Sequence, residues 1–167
     1  KMATKNQAAN IVTLDDDSGR REVRIFPEAY ERHRTLLVED AILLMQVTLG
    51  WDEFNQTTRL TVERVLDLDE ARAEYARQLR LRLDARQCEA GALRQLAQIL
   101  GEHRGDGRCA VGVDYCGDRA RVELVFGPNW RIRPSEALLK RLRDLVGAKA
   151  VQLRYGAQPN MDRSGLG

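Results

Sequence analysis

The hydrophobic period of the chain changes at Asp69, and this change divides the sequence in two. Before Asp69, short segments rich in β-branched residues alternate between apolar and polar side chains, as half-buried strands do. After it, Ala71 and Tyr75 fall on one face of a helix. The sequence therefore predicts two folded units, at 1–68 and 79–156, joined by a helical connector at 69–78. A disordered polar tail is predicted for 157–167.

The net charge of +2 conceals an uneven distribution of charged residues. Residues 1–76 carry 10 basic and 15 acidic groups, a net charge of −5, whereas residues 77–167 carry 17 basic and 10 acidic groups, a net charge of +7. This asymmetry indicates that the two halves have different partners. Because affinity for phosphate comes mainly from Lys and Arg, we expect the first half to bind nucleic acid weakly.

Composition restricts the class of protein. A hydrophobic content of 43% and a charged content of 31% are ordinary for a globular protein with a packed core. No apolar run approaches the roughly 20 residues of a membrane-spanning helix, and the first residues lack the apolar segment of a secretory signal. Cys88, Cys109 and Cys116 have no C-x-x-C spacing, which favours reduced thiols. We expect a cytoplasmic protein without membrane contact.

The first half predicts a hairpin, a helix and two further strands. Asp17, Ser18 and Gly19 are turn residues between two strand-like segments, and Pro27 suits the first turn of a helix. The predicted strands are 11–16, 21–26, 41–49 and 58–68, the helix is 27–37, and 50–56 connects the last two strands.

The second half predicts the order β-α-β-β-(β)-α-β, which is typical of a compact α+β domain of split βαβ type. Gly117 with Asp118 is a hairpin signal, while Ser135 and Gly147 lie at cap positions of the last helix. A glycine-rich turn at 105–107 is expected to end the first helix. The predicted strands are 79–84, 109–116, 120–127, 129–134 and 150–155, and the helices are 88–104 and 134–147.

Three consecutive carboxylates, Asp15, Asp16 and Asp17, raise the question of a metal site. Successive strand residues point to opposite faces, so Asp15 and Asp16 cannot easily share one cation. Asp17 belongs to the predicted turn. We therefore interpret the acidic run as the end of a solvated hairpin.

No other arrangement of residues in the sequence predicts catalysis. Cys109 has no partner histidine, His33 lies in a helix among charged neighbours, and the histidines have no zinc-ligand spacing from the cysteines. No phosphate-binding glycine motif is present. We expect a fragment that has no catalytic residues, metal or cofactor.

Aromatic residues beside arginines are the better candidates for function. Trp51 and Phe54, close to Arg59, could stack on unpaired bases or close over the core. Trp130, next to Arg131, could be exposed to a partner protein or could anchor the last helix.

Several sequence segments resemble a known family. In the first half these are VTLDD, SGR, EV, IF and EAYE, followed by LLVED and DLDEAR; in the second they are LRLRLD, HRGDGRCAV, VELVFGPNWRIRPSEALLKRLRDLVG and VQLRY. In this order they resemble the OB-fold region and the C-terminal tau-binding domain of the bacterial replicative DNA polymerase III alpha subunit. The resemblance extends from Ile11 to Tyr155.

The resemblance implies a non-catalytic module of a larger DNA-directed DNA polymerase, a nucleotidyltransferase whose chemistry lies upstream. An OB-fold-like β-barrel, complete or lacking a strand, would precede the α+β domain. The implied partners are the clamp-loader tau subunit, single-stranded DNA bound weakly, and other domains of the polymerase. The implied DNA-binding residues are Trp51, Phe54, Arg24 and Arg59, and the implied tau-binding residues are Trp130, Leu153, Arg154 and Tyr155.

The chain departs from the family pattern at two places. The family has Asp-Phe-Ser-Gly-Gly where this chain has Glu53 to Thr57, without glycine. Residues 3–10 interrupt the family's first barrel strand, so that strand is expected to be missing or replaced. The alternative function is a stand-alone OB-fold protein that binds single-stranded nucleic acid.

Overall fold

The computed structural model describes residues 10–16, 18–85, 87–88, 90–117 and 120–156. These residues form an α+β structure with two four-stranded sheets and four α-helices, which confirms the predicted class. The chain divides into two compact units, the first ending at Leu68 and the second beginning at Asp69.

The elements of the first unit are β1 (Asn10–Asp16), β2 (Gly19–Ile25), α1 (Pro27–His33), β3 (Leu44–Asp52) and β4 (Thr57–Leu66). From the unit boundary onward they are α2 (Leu68–Tyr75), β5 (Ala76–Leu83), α3 (Ala90–His103), β6 (Arg104–Cys116), β7 (Arg121–Val125), α4 (Glu136–Val146) and β8 (Val151–Tyr155).

The first sheet has the order β1-β2-β4-β3. β1 and β2 form the predicted hairpin, in which Gly19 has a positive φ of 133°. β3 and β4 form a second antiparallel hairpin, and β2 joins β4 in parallel through Arg24 and Thr61. In the described part of the chain the sheet is open at β1 and β3, which is compatible with an OB-like fold short of one strand. The expectation for the first barrel strand falls mostly on residues outside the described ranges.

The core of the first unit is small. Its fully buried residues are Val23, Ile25, Val62 and Val65. α1 contributes no fully buried side chain and ends at His33, so the helix predicted for 27–37 is shorter than expected. The amides of Leu36 and Leu37 donate hydrogen bonds to the carbonyl of His33.

The second sheet has the order β7-β6-β5-β8. β5 and β6 are parallel neighbours joined through α3, while β7 and β8 are antiparallel to their neighbours and form the edges. The predicted order of strands and helices is confirmed, with α4 between β7 and β8. Because no strand lies between β5 and β6, the βαβ unit is not split.

α3 and α4 supply the larger core of the second unit. α4 begins at the predicted cap, where the hydroxyl of Ser135 accepts a hydrogen bond from the amide of Leu138 at 3.3 Å, and ends at Gly147 with φ 90°. The apolar side chains that are fully buried in this core are Ala76, Leu79, Leu81, Leu83, Leu96, Ile99, Leu100, Cys109, Val111, Val113, Ile132, Leu138, Leu139, Leu142 and Val146.

Three local predictions were wrong. The helix predicted for 69–78 ends at Tyr75, because Ala76 is fully buried and pairs with Tyr155 in the sheet. The strand predicted for 129–134 contains a 3₁₀ turn, Pro128–Trp130, and only Ile132 makes isolated bridges. The glycine-rich stretch 105–107 lies within β6 rather than in a turn.

The backbone at Gly107 approaches another segment so closely that only glycine fits there. A Cβ at Gly107 would lie 1.8 Å from the carbonyl carbon of Ile132, a distance that no side chain could accommodate. The bridges of Arg104 and Cys109 to Ile132 bring these two backbone segments together. A long-range contact therefore sets the need for glycine at position 107, whereas Gly105 has a positive φ of 141°.

Replacing Leu142 with Ala tests the core of the second unit. Leu142 is fully buried on α4, so its truncation should lower the free energy of unfolding by about 2–5 kcal/mol. Urea unfolding followed by Trp130 fluorescence, in a Trp51→Phe background, measures the change. Lys140→Ala on the exposed side of the same helix is the control, and its stability should stay close to that of the original chain. Equal losses in the two variants would contradict the packing described.

Candidate functional site

The β3–β4 hairpin ends in a turn organised by Asp52. The carboxylate of Asp52 accepts hydrogen bonds from the backbone amide and the side-chain amide of Asn55, both at 3.2 Å. Arg24 lies 3.6 Å from the same carboxylate. The Asn55 hydrogen bonds, and then the charge of Arg24, lower the pKa of Asp52 below its ordinary value. Asp52 therefore remains ionised at neutral pH and holds the turn.

The departure from the family's glycines is visible in this turn. Gln56 has a φ of 50°, in the left-handed region that glycine adopts most readily. Phe54 is 96% exposed at the tip of the hairpin. The turn thus presents an aromatic side chain to solvent.

The four residues predicted to contact DNA do not form one surface. Trp51 is 62% exposed and follows Val47 and Leu49 on the side of β3 that faces the core. Arg59 pairs with Gly50 and therefore lies on the other side of the sheet, as does Arg24. Phe54 lies at the tip between the two sides. One strand of DNA could contact Phe54 together with either Trp51 or the two arginines.

Trp130 is half-buried in the second unit. Its ring packs edge-to-face against Phe126, with ring centroids 5.7 Å apart and an interplanar angle of 66°. The guanidinium of Arg104 lies 5.5 Å above the centroid of the Trp130 ring. The Trp130 ring therefore packs against Phe126 and Arg104 and also borders a cavity.

That cavity, the apolar groove, has a volume of about 540 Å³ between α3 and the β6–β7 hairpin. Leu93 and Leu124 on its walls are 41% and 49% exposed. The sequence analysis did not predict the groove, although the helical stripe of leucines in α3 was a signal for it. The groove is lined by Leu83, Cys88, Leu93, Leu96, Ala97, Leu100, Val113, Tyr115, Leu124, Phe126, Gly127 and Trp130.

The other three residues predicted to contact tau lie on β8, an edge strand. Leu153 is partly buried opposite Leu79, Arg154 is exposed, and Tyr155 is 55% exposed. Trp130 packs on Phe126, which follows the opposite edge strand β7. Three interstrand spacings separate the edges by about 14 Å. The predicted tau-binding set therefore forms two separate patches.

The face of the second sheet opposite its helices carries arginines, and we call it the arginine face: Arg80, Arg82, Asp114, Arg121, Glu123, Gln152 and Arg154. Arg80 is only 4% exposed. Its guanidinium donates hydrogen bonds to both carboxylate oxygens of Asp114, of which the bond from Nε to Oδ2 is 3.1 Å long, and to one oxygen of Glu123. The hydrogen bond from Arg80, and then its charge, lower the pKa of Glu123.

Comparison with known proteins shows which proteins this chain is similar to. A family model described as the C-terminal domain of the DNA polymerase III subunit alpha matches residues 95–147. The DNA polymerase III subunit alpha of Escherichia coli K12 is 40% identical over 155 residues, or 92% of this chain. Over nearly its whole length, the chain is similar to a segment of the DNA polymerase III alpha subunit.

Alpha subunits of other bacteria show the same similarity. That of Pseudomonas fluorescens is 36% identical over 90% of this chain, and that of Vibrio cholerae is 35% identical over 92%. The chain spans about 13% of the length of the E. coli, Pseudomonas and Vibrio relatives. The family match agrees with the resemblance found in the sequence.

The described part of the chain contains no cluster of three His, Cys, Asp or Glu side chains that could hold a metal ion. Asp15 pairs with Arg20 at 3.0 Å, and Asp17 lies outside the described residues. Burial raises the pKa of Cys109 to about 11, so this cysteine is a neutral thiol at pH 7 and a poor nucleophile. No helix among the described residues is both long and apolar enough to cross a membrane.

Replacing Arg80 with Met tests the buried ion network. The change leaves Asp114 and Glu123 without their cation and should lower the free energy of unfolding by about 1–3 kcal/mol at pH 7. Because the pKa of Glu123 is lowered in the folded state, the loss should shrink as the pH falls below the ordinary value of 4.5. Urea titrations at several pH values measure it.

Arg82→Met on the same strand and face is the matched control. Arg82 is exposed, so this change should alter the stability by less than about 0.5 kcal/mol. A pH-independent loss in the Arg80 variant would show that packing of the side chain stem, and not the ion network, is responsible.

Proposed function

We propose that this chain is a non-catalytic module of a DNA polymerase III alpha subunit that attaches the polymerase to the clamp-loader tau subunit during cytoplasmic DNA replication. Its first unit contacts single-stranded template weakly, and nucleotidyl transfer resides in other domains of the parent polymerase. The observation that carries the proposal is the apolar groove beside Trp130, in a chain similar to the C-terminal domain of alpha subunits.

The groove supports attachment of a protein because its composition matches that of binding hot spots. Trp130 is a rigid aromatic side chain with Arg104 stacked above it, and both residue types are enriched where binding energy concentrates. Leu93 and Leu124 expose apolar area that a partner would remove from water. An apolar segment of tau, inserted beside Trp130, would fill a cavity of about 540 Å³.

The edge strand β8 supports a second contact with tau. Its outer edge has backbone groups that no described strand pairs, so an extended segment could add to the sheet there. Tyr155 and Leu153 would contribute apolar area and Arg154 a polar rim. The separation of about 14 Å between edges then requires tau to contact this unit at two places.

Binding of purified tau C-terminal region, measured by calorimetry, tests the attachment. Trp130→Ala should weaken binding by about tenfold to a hundredfold, as loss of a hot spot does. Because Trp130 also packs on Phe126, Leu93→Gln provides a second variant at an exposed position of the groove wall. It should also weaken binding.

Val125→Gln is the matched control for the groove. Val125 is 61% exposed in the same unit and lies outside the groove, so its replacement should leave the affinity for tau unchanged. If Leu93→Gln binds tau as tightly as the original chain does, the groove is not the tau site. A separate Tyr155→Ala variant tests whether β8 contributes to the affinity for tau.

The exposed aromatic residues of the first unit support contact with single-stranded DNA. Phe54 and Trp51 provide surfaces on which bases can stack, at about 1–3 kcal/mol for each base. The net charge of −5 over residues 1–76 limits how much phosphate contacts add to the affinity for DNA, so the binding is weak and sensitive to salt.

Fluorescence anisotropy with labelled oligo-dT at two salt concentrations tests this contact. Phe54→Ala should weaken binding by about fivefold or more, as expected for one stacked base. Comparing Trp51→Ala with Arg59→Gln then identifies the side of the sheet that the strand follows, because these residues lie on opposite sides. Binding of oligo-dT without binding of tau would favour the stand-alone nucleic-acid-binding function instead.

A further inference from the structure

We propose that the arginine face of the second unit is a nucleic-acid-binding surface that contacts the phosphodiester backbone, mainly through Arg82 and Arg121. This site belongs to the second unit, whereas Trp51 and Phe54 belong to the first, and it lies on the face of the second sheet opposite the apolar groove. It requires neither the tau contact nor base stacking in the first unit.

The ion network around Arg80 determines which charges on this face are available. Arg80 engages both oxygens of Asp114 and one oxygen of Glu123, and it is buried beneath the surface. Among the described residues, Arg82 and Arg121 have no carboxylate partner and are exposed. One buried arginine therefore occupies the two carboxylates of the arginine face and leaves its exposed cations for a ligand.

The shape of the face suits an extended anion. α3 and α4 pack on the other side of the sheet, where Leu79, Leu81 and Leu83 of β5 are buried in the core. On the arginine face, a concavity of about 400 Å³ is lined by arginines of β5, β7 and β8. A neighbouring concavity of about 460 Å³ shares Arg82 with it and is lined by both Lys149 and Asp84. The two concavities therefore adjoin at Arg82, which lines both of them.

The spacing of the cations favours a chain of phosphates over a single phosphate. With about 4.8 Å between strands and about 3.3 Å per residue, the register places Arg82 about 12 Å from Arg121. By the same measure, Arg121 and Arg154 lie about 24 Å apart. One phosphate cannot span that distance, whereas several successive nucleotides can.

The composition of this face favours nucleic acid over an acidic protein. Protein interfaces depend on a central apolar or aromatic anchor, and Val125 is the large exposed hydrophobic residue that the described part of this face contains. The apolar groove, with Leu93 and Trp130, lies on the helix side of the sheet instead. Binding by phosphate contacts needs no such anchor, and the net charge of +7 over residues 77–167 supports it.

Salt-dependent binding of the whole chain to labelled oligo-dT tests the proposal. The double variant R82Q/R121Q should reduce the affinity at low salt by about tenfold. It should also reduce the slope of log affinity against log salt by about 0.7 for each cation removed. Far-UV circular dichroism checks that the variant is folded, and binding to tau should be unchanged.

A matched control separates a local surface from overall charge. R94Q/K140Q removes the same two charges from exposed positions on α3 and α4, on the helix side of the sheet. It should retain the affinity and the salt slope. Equal losses in the two double variants would overturn the proposal, because net charge alone would then account for binding.

Two further arms exclude the alternatives. Trp51→Ala, combined with each double variant, distinguishes this site from the first unit. If Trp51→Ala reduces the affinity for oligo-dT and R82Q/R121Q does not, the DNA contact lies in the first unit and the proposal for the arginine face is wrong. Polyglutamate is the acidic-protein probe. If it binds as tightly as oligo-dT and with the same dependence on Arg82 and Arg121, the surface recognises acidic protein and the proposal falls.

Discussion

The structure of the second unit depends on the burial of its central strand, β5, from both sides. Leu79, Leu81 and Leu83 pack under the two helices, and Arg80, on the opposite face, is buried between Asp114 and Glu123. A buried cation is tolerated only when carboxylates compensate for its lost hydration. The same network that satisfies Arg80 occupies the carboxylates of that face, so a requirement of folding also determines its surface charge.

The two sides of this sheet consequently offer different chemistry to partners. The helix side has an apolar groove whose lining includes Leu93 and Trp130, a surface suited to burying part of another protein. The other side has exposed arginines without an aromatic anchor, which suits a flexible polyanion. A single four-stranded sheet could thus contact a protein and a nucleic acid at once, without competition for area.

Sequence patterns predicted much of the fold but not the grouping of the candidate residues. Ser135 and Gly147 marked the ends of α4, and Gly19 marked the hairpin, because caps and turns depend on a few neighbouring residues. The last turn of the predicted connector became strand at Ala76, since pairing with β8 overrides helical periodicity there. Trp51 and Arg59 were expected to act together, yet cross-strand register places them on opposite sides of the sheet.

The sequence by itself determined the α+β class, the order of elements and the change in charge between the halves. These properties reside in composition, local periodicity and short-range turn chemistry, all of which a linear chain displays. Only the tertiary structure decided that Arg80 is buried while Arg82 stays exposed, that Gly107 must be glycine, and that Trp130 and Tyr155 belong to separate patches. Each of these depends on strand order and register, which bring together residues that are far apart in the chain. The alternation of side chains along one strand does not specify that order or register.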